Sequence, residues 1–286
     1  MADDLKELTP AKFPPLLREI SDPPKKLYVR GKLPSFDKKW LAVVGSRAYT
    51  PYGKQAVDHL IRGLANYPVV IVSGLAYGID SEAHKAALKY GLDTVAVPGS
   101  GLNWDVVYPK ANIGLAREIL SAEGALLSEE EPEAKTMDYM FPKRNRVMVG
   151  LTNATLVVEA KEKSGTLITA KLAVEYNRDL LVVPGSIFSE SSKGAHQFLR
   201  LGAQAAVSAQ DILQTLGLTE NTSAALSLRT DLSEKEIKVL ELIASPISRD
   251  ELVRALNLPI VEANVLLSAM ELKGLIVEAL GVVRGA

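Results

Sequence analysis

Short apolar runs alternate with segments of helical spacing from Trp40 to about Ser208. The runs are rich in valine and continuous, which is typical of strands buried on both faces of a parallel sheet. Between them, apolar residues recur at the spacing of a helix. This alternation predicts βαβ units and therefore an α/β fold with a doubly wound, mostly parallel sheet. The predicted strands are 40–46, 69–76, 93–100, 125–130, 154–160 and 179–186.

The segments on either side of this region follow other patterns. Residues 1–39 are rich in proline and predict an extended arm packed on the sheet. Around 219–231 the residues become polar and short, as in a linker. Two helices, a longer helix and a small hairpin then predict a winged-helix domain. The predicted units are an arm at 1–39, a sheet domain at 40–217, a linker at 218–231 and a winged helix at 232–286.

The predicted winged helix is acidic. Residues 230–286 hold six basic and nine acidic side chains, a net charge of −3. Because phosphate contacts dominate affinity for duplex DNA, we expect this domain to contact protein, in a partner or a dimer, and not to read a duplex. Ser233 followed by Glu236, and Ser248 followed by Glu251, predict capping boxes at two helix starts.

Composition and motifs argue against several classes of protein. The chain has no cysteine, so we expect neither a disulfide nor a thiolate metal site. Its three histidines lack the spacing of a zinc hydrolase, and neither a P-loop nor a G-x-G-x-x-G turn occurs. We therefore expect no metal and no cofactor. The polar N-terminus, and the absence of a run of about 18 apolar residues, predict a soluble cytoplasmic protein without a membrane partner.

Two acidic features have simple structural interpretations. Asp80 and His84 are four residues apart and share a helix face, which makes them a candidate acid–base pair. Asp80 also stands where a helix cap is expected, and we favour a cap with a partly buried histidine. The acidic stretch 121–138 is interpreted as a solvated face.

The turns after the predicted strands are rich in glycine and serine. In a doubly wound sheet, ligands bind at the carboxyl ends of the strands, where these turns meet. Glycine allows close approach of the backbone, and the following helix offers free N–H groups to an anion. Several such turns at one edge predict a site for a polyanion. The turns are 45–47, 73–78, 98–101, 159–166 and 184–186.

The segment FPKRNR (141–146) concentrates cations in a chain whose net charge is −1. Pro142 suits the first helical position, so Lys143, Arg144 and Arg146 would crowd the N-terminal turn. Cations there oppose the helix dipole, at roughly a few tenths of a kcal/mol each. Their position is explained if an anion completes the site, with arginine forks for phosphate and Asn145 as a further donor.

Other cations and aromatic residues belong to the same predicted edge. Arg47 lies in the first turn, and Lys110 follows a Tyr-Pro pair. Phe141, Tyr108 and Trp104 stand beside these cations and could stack on bases, although each alone is more often a packing residue. Cations interleaved with aromatic residues and glycine turns predict a groove for single-stranded nucleic acid.

Six blocks, in this order and spacing, resemble the DNA-processing protein A family (DprA, also called Smf). The resemblance extends over residues 12–215. The blocks are VVGSR (43–47), SGLAYGID (73–80), VPGSGLNWDVVYPKAN (97–112), FPKRNRVMVGLT (141–152), VVEAKEKSGTLITA (157–170) and VVPGSI (182–187).

This resemblance implies an extended Rossmann-like domain followed by a small winged-helix domain. It implies a protein that is not an enzyme, binds single-stranded DNA without strong sequence preference and forms a homodimer through the far edge of the sheet, around 186–208. It also implies a role in competence for natural transformation and in homologous recombination, by protecting incoming strands and helping to load the RecA recombinase. The matching motifs imply a DNA pocket of Arg47, Lys110, Arg144, Asn145, Arg146, Gly165 and Thr166, to which the charge argument adds Lys143.

The strongest alternative is an enzyme, a nucleotide phosphoribohydrolase of the lysine-decarboxylase-like type. The signature of that group is P-G-G-x-G-T-x-x-E, which Gly165 and Thr166 match in part. Thr169 stands where the catalytic glutamate belongs, and no P-G-G precedes it. Without that carboxylate, hydrolysis of the sugar bond has no evident acid–base group. A pure scaffold is a third possibility, but it leaves the basic edge unexplained.

Overall fold

The computed structural model describes residues 5–218, 233–243, 247–273, 275–279 and 281–285. The chain divides into two compact units, Met1–Leu218 and Thr219–Ala286. All of the predicted linker 218–231 beyond Leu218 lies outside the described residues.

The larger unit is built on one sheet of nine strands among the described residues, in the order β1-β2-β6-β5-β4-β3-β7-β8-β9. Every pair from β6 across to β9 is parallel. The predicted valine-rich runs form β3 to β8, which confirms the mostly parallel, doubly wound sheet. The strands are Leu5–Leu8 (β1), Leu27–Gly31 (β2), Lys39–Val44 (β3), Val69–Ser73 (β4), Asp93–Ala96 (β5), Ala125–Ser128 (β6), Ala154–Val157 (β7), Asp179–Val182 (β8) and Gln204–Ala205 (β9).

Helices cover both faces of this sheet, which is why its strands are apolar throughout. Helices α2, α3 and α8 pack on one face, together with Leu41, Val43 and Ile71 of the central strands. Helices α1, α5, α6 and α7 pack on the other face. The helices are Pro15–Arg18 (α1), Pro51–Arg62 (α2), Ile79–Lys89 (α3), Ile113–Ser121 (α4), Met140–Leu151 (α5), Thr166–Glu175 (α6), Glu190–Arg200 (α7) and Ala209–Thr215 (α8).

The N-terminal arm adds strands to the sheet. The sequence had predicted instead that the arm packs on the sheet. Strand β2 pairs antiparallel with β6, with Tyr28 opposite Ser128, and β1 pairs antiparallel with β2. Strand β6 would otherwise end the parallel part with a row of unpaired N–H and C=O groups. The arm forms hydrogen bonds with those backbone groups, and these bonds favour pairing of the arm with β6 over packing of the arm on a face of the sheet.

Strand β3 lies at the topological switch point of the sheet. The chain runs outward from β3 through β4 and β5 to β6, and then returns to place β7 on the other side of β3. The connections after β3 and β7 therefore leave in opposite directions. In such sheets the crevice opened at the carboxyl ends of these two strands is the usual ligand site.

The smaller unit has the predicted winged-helix order. Its elements are Glu234–Leu242 (α9), Ile247–Ser248 (β10), Arg249–Leu256 (α10), Ile260–Leu272 (α11), Ile276–Ala279 (β11) and Val282–Gly285 (β12), with the strands in the order β10-β12-β11. Both predicted capping boxes are present, at Ser233 and at Ser248. The third helix, α11, exposes Ile260, Val261 and Val265 to solvent, a surface unlike that of a duplex-reading helix.

Candidate functional site

A pocket of about 450 Å³ opens at the switch point. Its wall is built by the turn after β3, the first turns of α5 and the loop between β7 and α6. We call this cavity the switch-point pocket. Five of the eight predicted DNA-binding residues line it: Arg47, Arg144, Asn145, Gly165 and Thr166. Lys110, Lys143 and Arg146 are not part of its wall.

The turn after β3 presents Arg47 to the pocket. A Cβ added to Gly45 would lie 2.6 Å from Cγ1 of Ile79, so the turn needs glycine to pass α3. The backbone N–H of Ala48 donates to Oγ of Ser46 at 3.2 Å and tightens the turn. The exposed Arg47 guanidinium then lies 5.0 Å from the centre of the Phe141 ring, a cation–π contact. In the described part of the chain it forms no ion pair, although its charge opposes the rise that burial causes in the pKa of the Asp80 carboxyl below the pocket.

Helix α5 begins earlier than the sequence predicted. Its first residue is Met140, so Pro142 is the third helical residue and not the first. Lys143, Arg144 and Arg146 therefore lie beyond the first three helical positions. The dipole penalty expected for these cations is smaller there, since the effect fades within the first turn.

Acidic residues neutralise two of these three cations. Nζ of Lys143 lies 2.8 Å from Oε1 of Glu130. The Arg146 guanidinium donates to both carboxylate oxygens of Glu129, at 2.7 and 2.6 Å, and lies 3.2 Å from Asp22. The acidic stretch 121–138 thus supplies ion-pair partners as well as a solvated face. The three cations do not act as one group.

Arg144, in contrast, is buried at the floor of the pocket. It is 8% exposed and donates to the carbonyl of Val97, after β5, at 2.5 Å. A Cβ on Gly74 would lie 1.7 Å from its Nη1 atom, so only glycine lets the guanidinium cross the turn after β4. Arg144 therefore ties the ends of two central strands together. Burial lowers the pKa of its guanidinium, which still remains protonated at neutral pH.

Asp80 lies beside Arg144, below the same pocket. Burial raises the pKa of this carboxyl, and the Arg144 charge opposes that rise. The predicted cap is wrong in detail: Gly78 occupies the N-cap of α3, and Asp80 instead accepts the N–H of Gly74 at 3.1 Å. The predicted partly buried histidine, His84, is fully buried, and burial lowers its pKa to about 3.

The loop before α6 supplies the opposite wall. Oγ1 of Thr166 donates to the carbonyl of Gly45 at 3.1 Å and so joins this loop to the turn after β3. A Cβ on Gly165 would meet no heavy atom within 4 Å, which leaves its backbone open to a ligand. Lys161 and Ser164 also line the pocket and were missed. The lysines of EAKEKSGT were the available signal, but a loop pattern does not tell whether Lys161 or Lys163 faces the site.

Lys110 lies on the neighbouring loop, exposed in a short 3-10 turn, Lys110–Asn112. The Tyr108 ring, two residues before it, lies 6.0 Å from the Phe141 ring, so this loop borders the pocket. Trp104 instead packs between Arg30 and Arg117, whose guanidinium carbons each lie 5.1 Å from its ring. Its ring thus has the packing role that is more common for a single aromatic residue.

The site has the chemistry of an anion site. Arg47, Arg144 and Lys161 bring three positive charges to the wall, against the single carboxylate of Asp80. Among the described residues, no three His, Asp or Glu side chains meet as a metal site requires. In the same part of the chain no single helix has the length and apolar content of a membrane span, although α10 and α11 together, bent by 117°, reach that length and composition.

Residues 7–217 match the family described as DNA recombination-mediator protein A. The chain belongs to that family. Residues 222–281 match the DprA winged helix domain, so both predicted domains are those of DprA proteins.

Relatives cover most of the chain. It is 44% identical over 201 residues to the DNA processing protein DprA of Streptococcus pneumoniae, covering 70% of each chain. It is 41% identical over 204 residues to protein Smf of Escherichia coli, covering 71% of this chain and 54% of that one.

Two solved structures share the fold. DprA of S. pneumoniae has a TM-score of 0.68 at 40% identity, covering 74% of this chain and 75% of the other. DprA of Helicobacter pylori has a TM-score of 0.66 at 33% identity, covering 75% of this chain and 96% of the other. The H. pylori structure concerns a unique single-stranded DNA binding mode of that protein.

Proposed function

We propose that the switch-point pocket binds single-stranded DNA and that the chain acts as a recombination mediator. The observation that carries this is the pairing of exposed cations, which form no ion pair among the described residues, with an aromatic wall: Arg47 over Phe141, with Lys161 opposite. Gly165, just before α6, leaves its backbone open to a ligand, since a Cβ there would meet no heavy atom within 4 Å. A cavity of about 450 Å³ lies within the range of ligand pockets. The DNA-binding mode of the H. pylori relative supports the same assignment.

In this proposal the predicted residues have different roles. Arg47 and Lys161 take phosphates, and the Gly165–Thr166 backbone approaches the strand closely. Arg144 supplies positive charge from below but is already committed to the carbonyl of Val97. Lys143 and Arg146, held by Glu130 and Glu129, contribute mainly to the fold.

The test is fluorescence anisotropy with a labelled 20-nucleotide oligo-dT and a matched duplex. We expect the single strand to bind more tightly, and its affinity to fall steeply between 50 and 300 mM salt, because phosphate contacts release counterions. Arg47→Ala and Lys161→Ala should weaken binding and each lower the salt slope by about one. Lys163→Ala removes the same charge from the same loop but outside the pocket wall, so it serves as the matched control. Equal binding by Lys161→Ala and Lys163→Ala, both as tight as the unchanged protein, would refute the site.

We also propose that the chain forms a homodimer through the β9 edge of the sheet. Four large apolar side chains are exposed in the segment 186–208, which contains β9: Ile187, Phe188, Leu201 and Val207, of which Phe188 is 90% exposed. A second copy of the chain would cover these exposed side chains. Two pockets on one dimer would hold a strand with higher avidity than one. Phe188→Glu should shift sedimentation from dimer to monomer; sedimentation as a monomer by the unchanged protein would reject the dimer.

As a mediator, the protein would pass its strand to the RecA recombinase in natural transformation. RecA filament assembly on single strands coated with single-strand binding protein measures this step. We expect the unchanged protein to shorten the lag before assembly and Arg47→Ala to lose that effect. No change in lag, with DNA binding intact, would restrict the function to strand protection.

The hydrolase alternative requires a catalytic carboxylate, and the pocket wall offers few candidates. Thr169, in the position of the expected catalytic glutamate, is buried in the pocket wall, where the one carboxylate is Asp80. Glu159 is buried nearby and accepts from the backbone and hydroxyl of Thr50 and from Ser191, so its oxygens are occupied. We therefore propose that the chain is not a hydrolase. Release of free base from nucleoside monophosphates would overturn this.

A further inference from the structure

Two exposed tyrosines border the switch-point pocket. Tyr77 is 46% exposed and Tyr108 is 39% exposed. They line a narrow cleft whose wall also includes Arg47 and Phe141, so the cleft and the pocket share these two residues. In the described part of the chain neither tyrosine hydroxyl has a hydrogen-bond partner. Both rings are thus exposed to solvent next to the switch-point pocket.

The backbone beneath both rings is fixed. Nδ2 of Asn112 donates to the carbonyl of Leu75 at 2.7 Å, which links the loop that carries Tyr77 to the segment that carries Tyr108. The backbone N–H of Tyr108 donates to Oγ of Ser100 at 3.1 Å. The backbone positions that carry the two rings are therefore held relative to each other, so binding a ligand need order only the side chains and not the loops.

Exposed aromatic rings beside cations are the stacking platforms of single-strand binding proteins. Lys110 follows Tyr108 by two residues, is exposed, and has no ion-pair partner among the described residues. We propose that Tyr77 and Tyr108 form a tyrosine shelf that stacks a base of single-stranded DNA outside the pocket, between the phosphates held by Arg47 and Lys110. This inference rests on the proposed function and adds to it the path by which the strand leaves the pocket. It also gives Lys110 a role that the pocket itself does not.

The test compares binding of a labelled 12-nucleotide oligo-dT to the full chain and to Tyr77→Ala and Tyr108→Ala. Stacking of one base corresponds to a loss of about 5- to 150-fold in affinity when its aromatic partner is truncated. Tyr77→Phe and Tyr108→Phe keep the ring and should bind like the unchanged protein. Tyr139→Ala is the matched control, since Tyr139 is 62% exposed and lines neither cavity.

Abasic sites then locate the stacked base. A series of oligo-dT strands, each lacking one base, should show one position whose removal weakens binding to the unchanged protein but not to Tyr77→Ala or Tyr108→Ala. The alanine variants should also keep the salt slope of the unchanged protein, because no phosphate contact is lost.

The outcomes distinguish failure of the tyrosine shelf from failure of the proposed binding of single-stranded DNA at the switch-point pocket. Alanine variants that bind as tightly as Tyr139→Ala, or abasic penalties that are the same in every variant, overturn the shelf and leave the proposed function standing. Absence of single-strand binding by the unchanged protein overturns the proposed function, and the shelf with it.

Discussion

Arg144 is expected to hold the fold of the site together, and Arg144→Ala should therefore unfold more easily. Its guanidinium is buried, donates to the carbonyl of Val97 and lies beside the buried Asp80. Alanine leaves that carbonyl without its donor and deprives the Asp80 carboxyl of the stronger-acting of the two positive charges near it. Among the described residues no ion pair joins Arg144 to Asp80, but an unsatisfied buried carbonyl and the loss of a nearby opposite charge from a buried carboxyl together cost about 3–5 kcal/mol.

The magnitude can be read from unfolding curves. In a unit of about 200 residues each kcal/mol moves the melting temperature by roughly 2–4 °C, so the expected drop is about 6–20 °C. Urea unfolding followed by circular dichroism gives the free energy of unfolding directly. Asp80→Asn, alone and combined with Arg144→Ala, completes a double-mutant cycle in which the double variant should lose less than the sum of the single losses.

A different result would change the role of Arg144. If Arg144→Ala unfolds within about 1 kcal/mol of the unchanged protein and yet loses single-strand binding, the guanidinium is a phosphate ligand and not a structural tie. Loss of DNA binding by this variant says little unless its stability is measured too. Arg47 and Lys161 are the better probes of the DNA contact, because both are exposed.

Three further predictions concern single positions. His84 has a folded pKa of about 3 against an ordinary 6.5, so it favours folding above pH 6.5, and that contribution is lost as pH falls toward 3, at up to about 1.4 kcal/mol per pH unit. His84→Gln should therefore reduce the pH dependence of the free energy of unfolding, measured by urea unfolding from pH 7 to 4. The same pH dependence in the variant and in the unchanged protein would contradict this. Gly74→Ala should destabilise the larger unit in thermal melts, since its Cβ would overlap Arg144, and a melt like that of the unchanged protein would show that the guanidinium can move. Ser248→Ala removes a capping box and should cost the winged helix about 1 kcal/mol, seen as faster hydrogen exchange in α10; unaltered exchange would contradict it.

The sequence predicted those parts of the fold that depend on local pattern. The six valine-rich runs form six neighbouring strands, and helices cover both faces of each. Because both faces are buried, almost every residue of a run is apolar, which is a signal that a short segment carries. The antiparallel pairing of β2 was not predicted. Its partner, β6, lies almost a hundred residues later, and nothing in a short segment encodes so distant a neighbour.

The candidate site was predictable to the extent that glycine turns and their position after strands are local signals. The different environments of Lys143, Arg144 and Arg146 could not be predicted, because they depend on which cation forms an ion pair with Glu129 or Glu130 in the folded chain. Neighbouring positions on one helix thus have opposite environments. The same limit applies to Lys161, whose direction is set by the loop's tertiary contacts.

The topology at the switch point also determines when, during synthesis of the chain, the two walls of the switch-point pocket can come together. Strand β3 and Arg47 leave the ribosome early, with β4, β5 and β6 following as one half of the sheet. Phe141 and Lys161 come only with the returning half, and β7 must find β3 across more than a hundred residues. Contacts of such sequence separation form late in folding. A nascent or truncated chain that stops before α5 therefore carries one wall of the pocket and lacks the other, so the proposed binding of a strand would require a chain whose sheet is closed around β3.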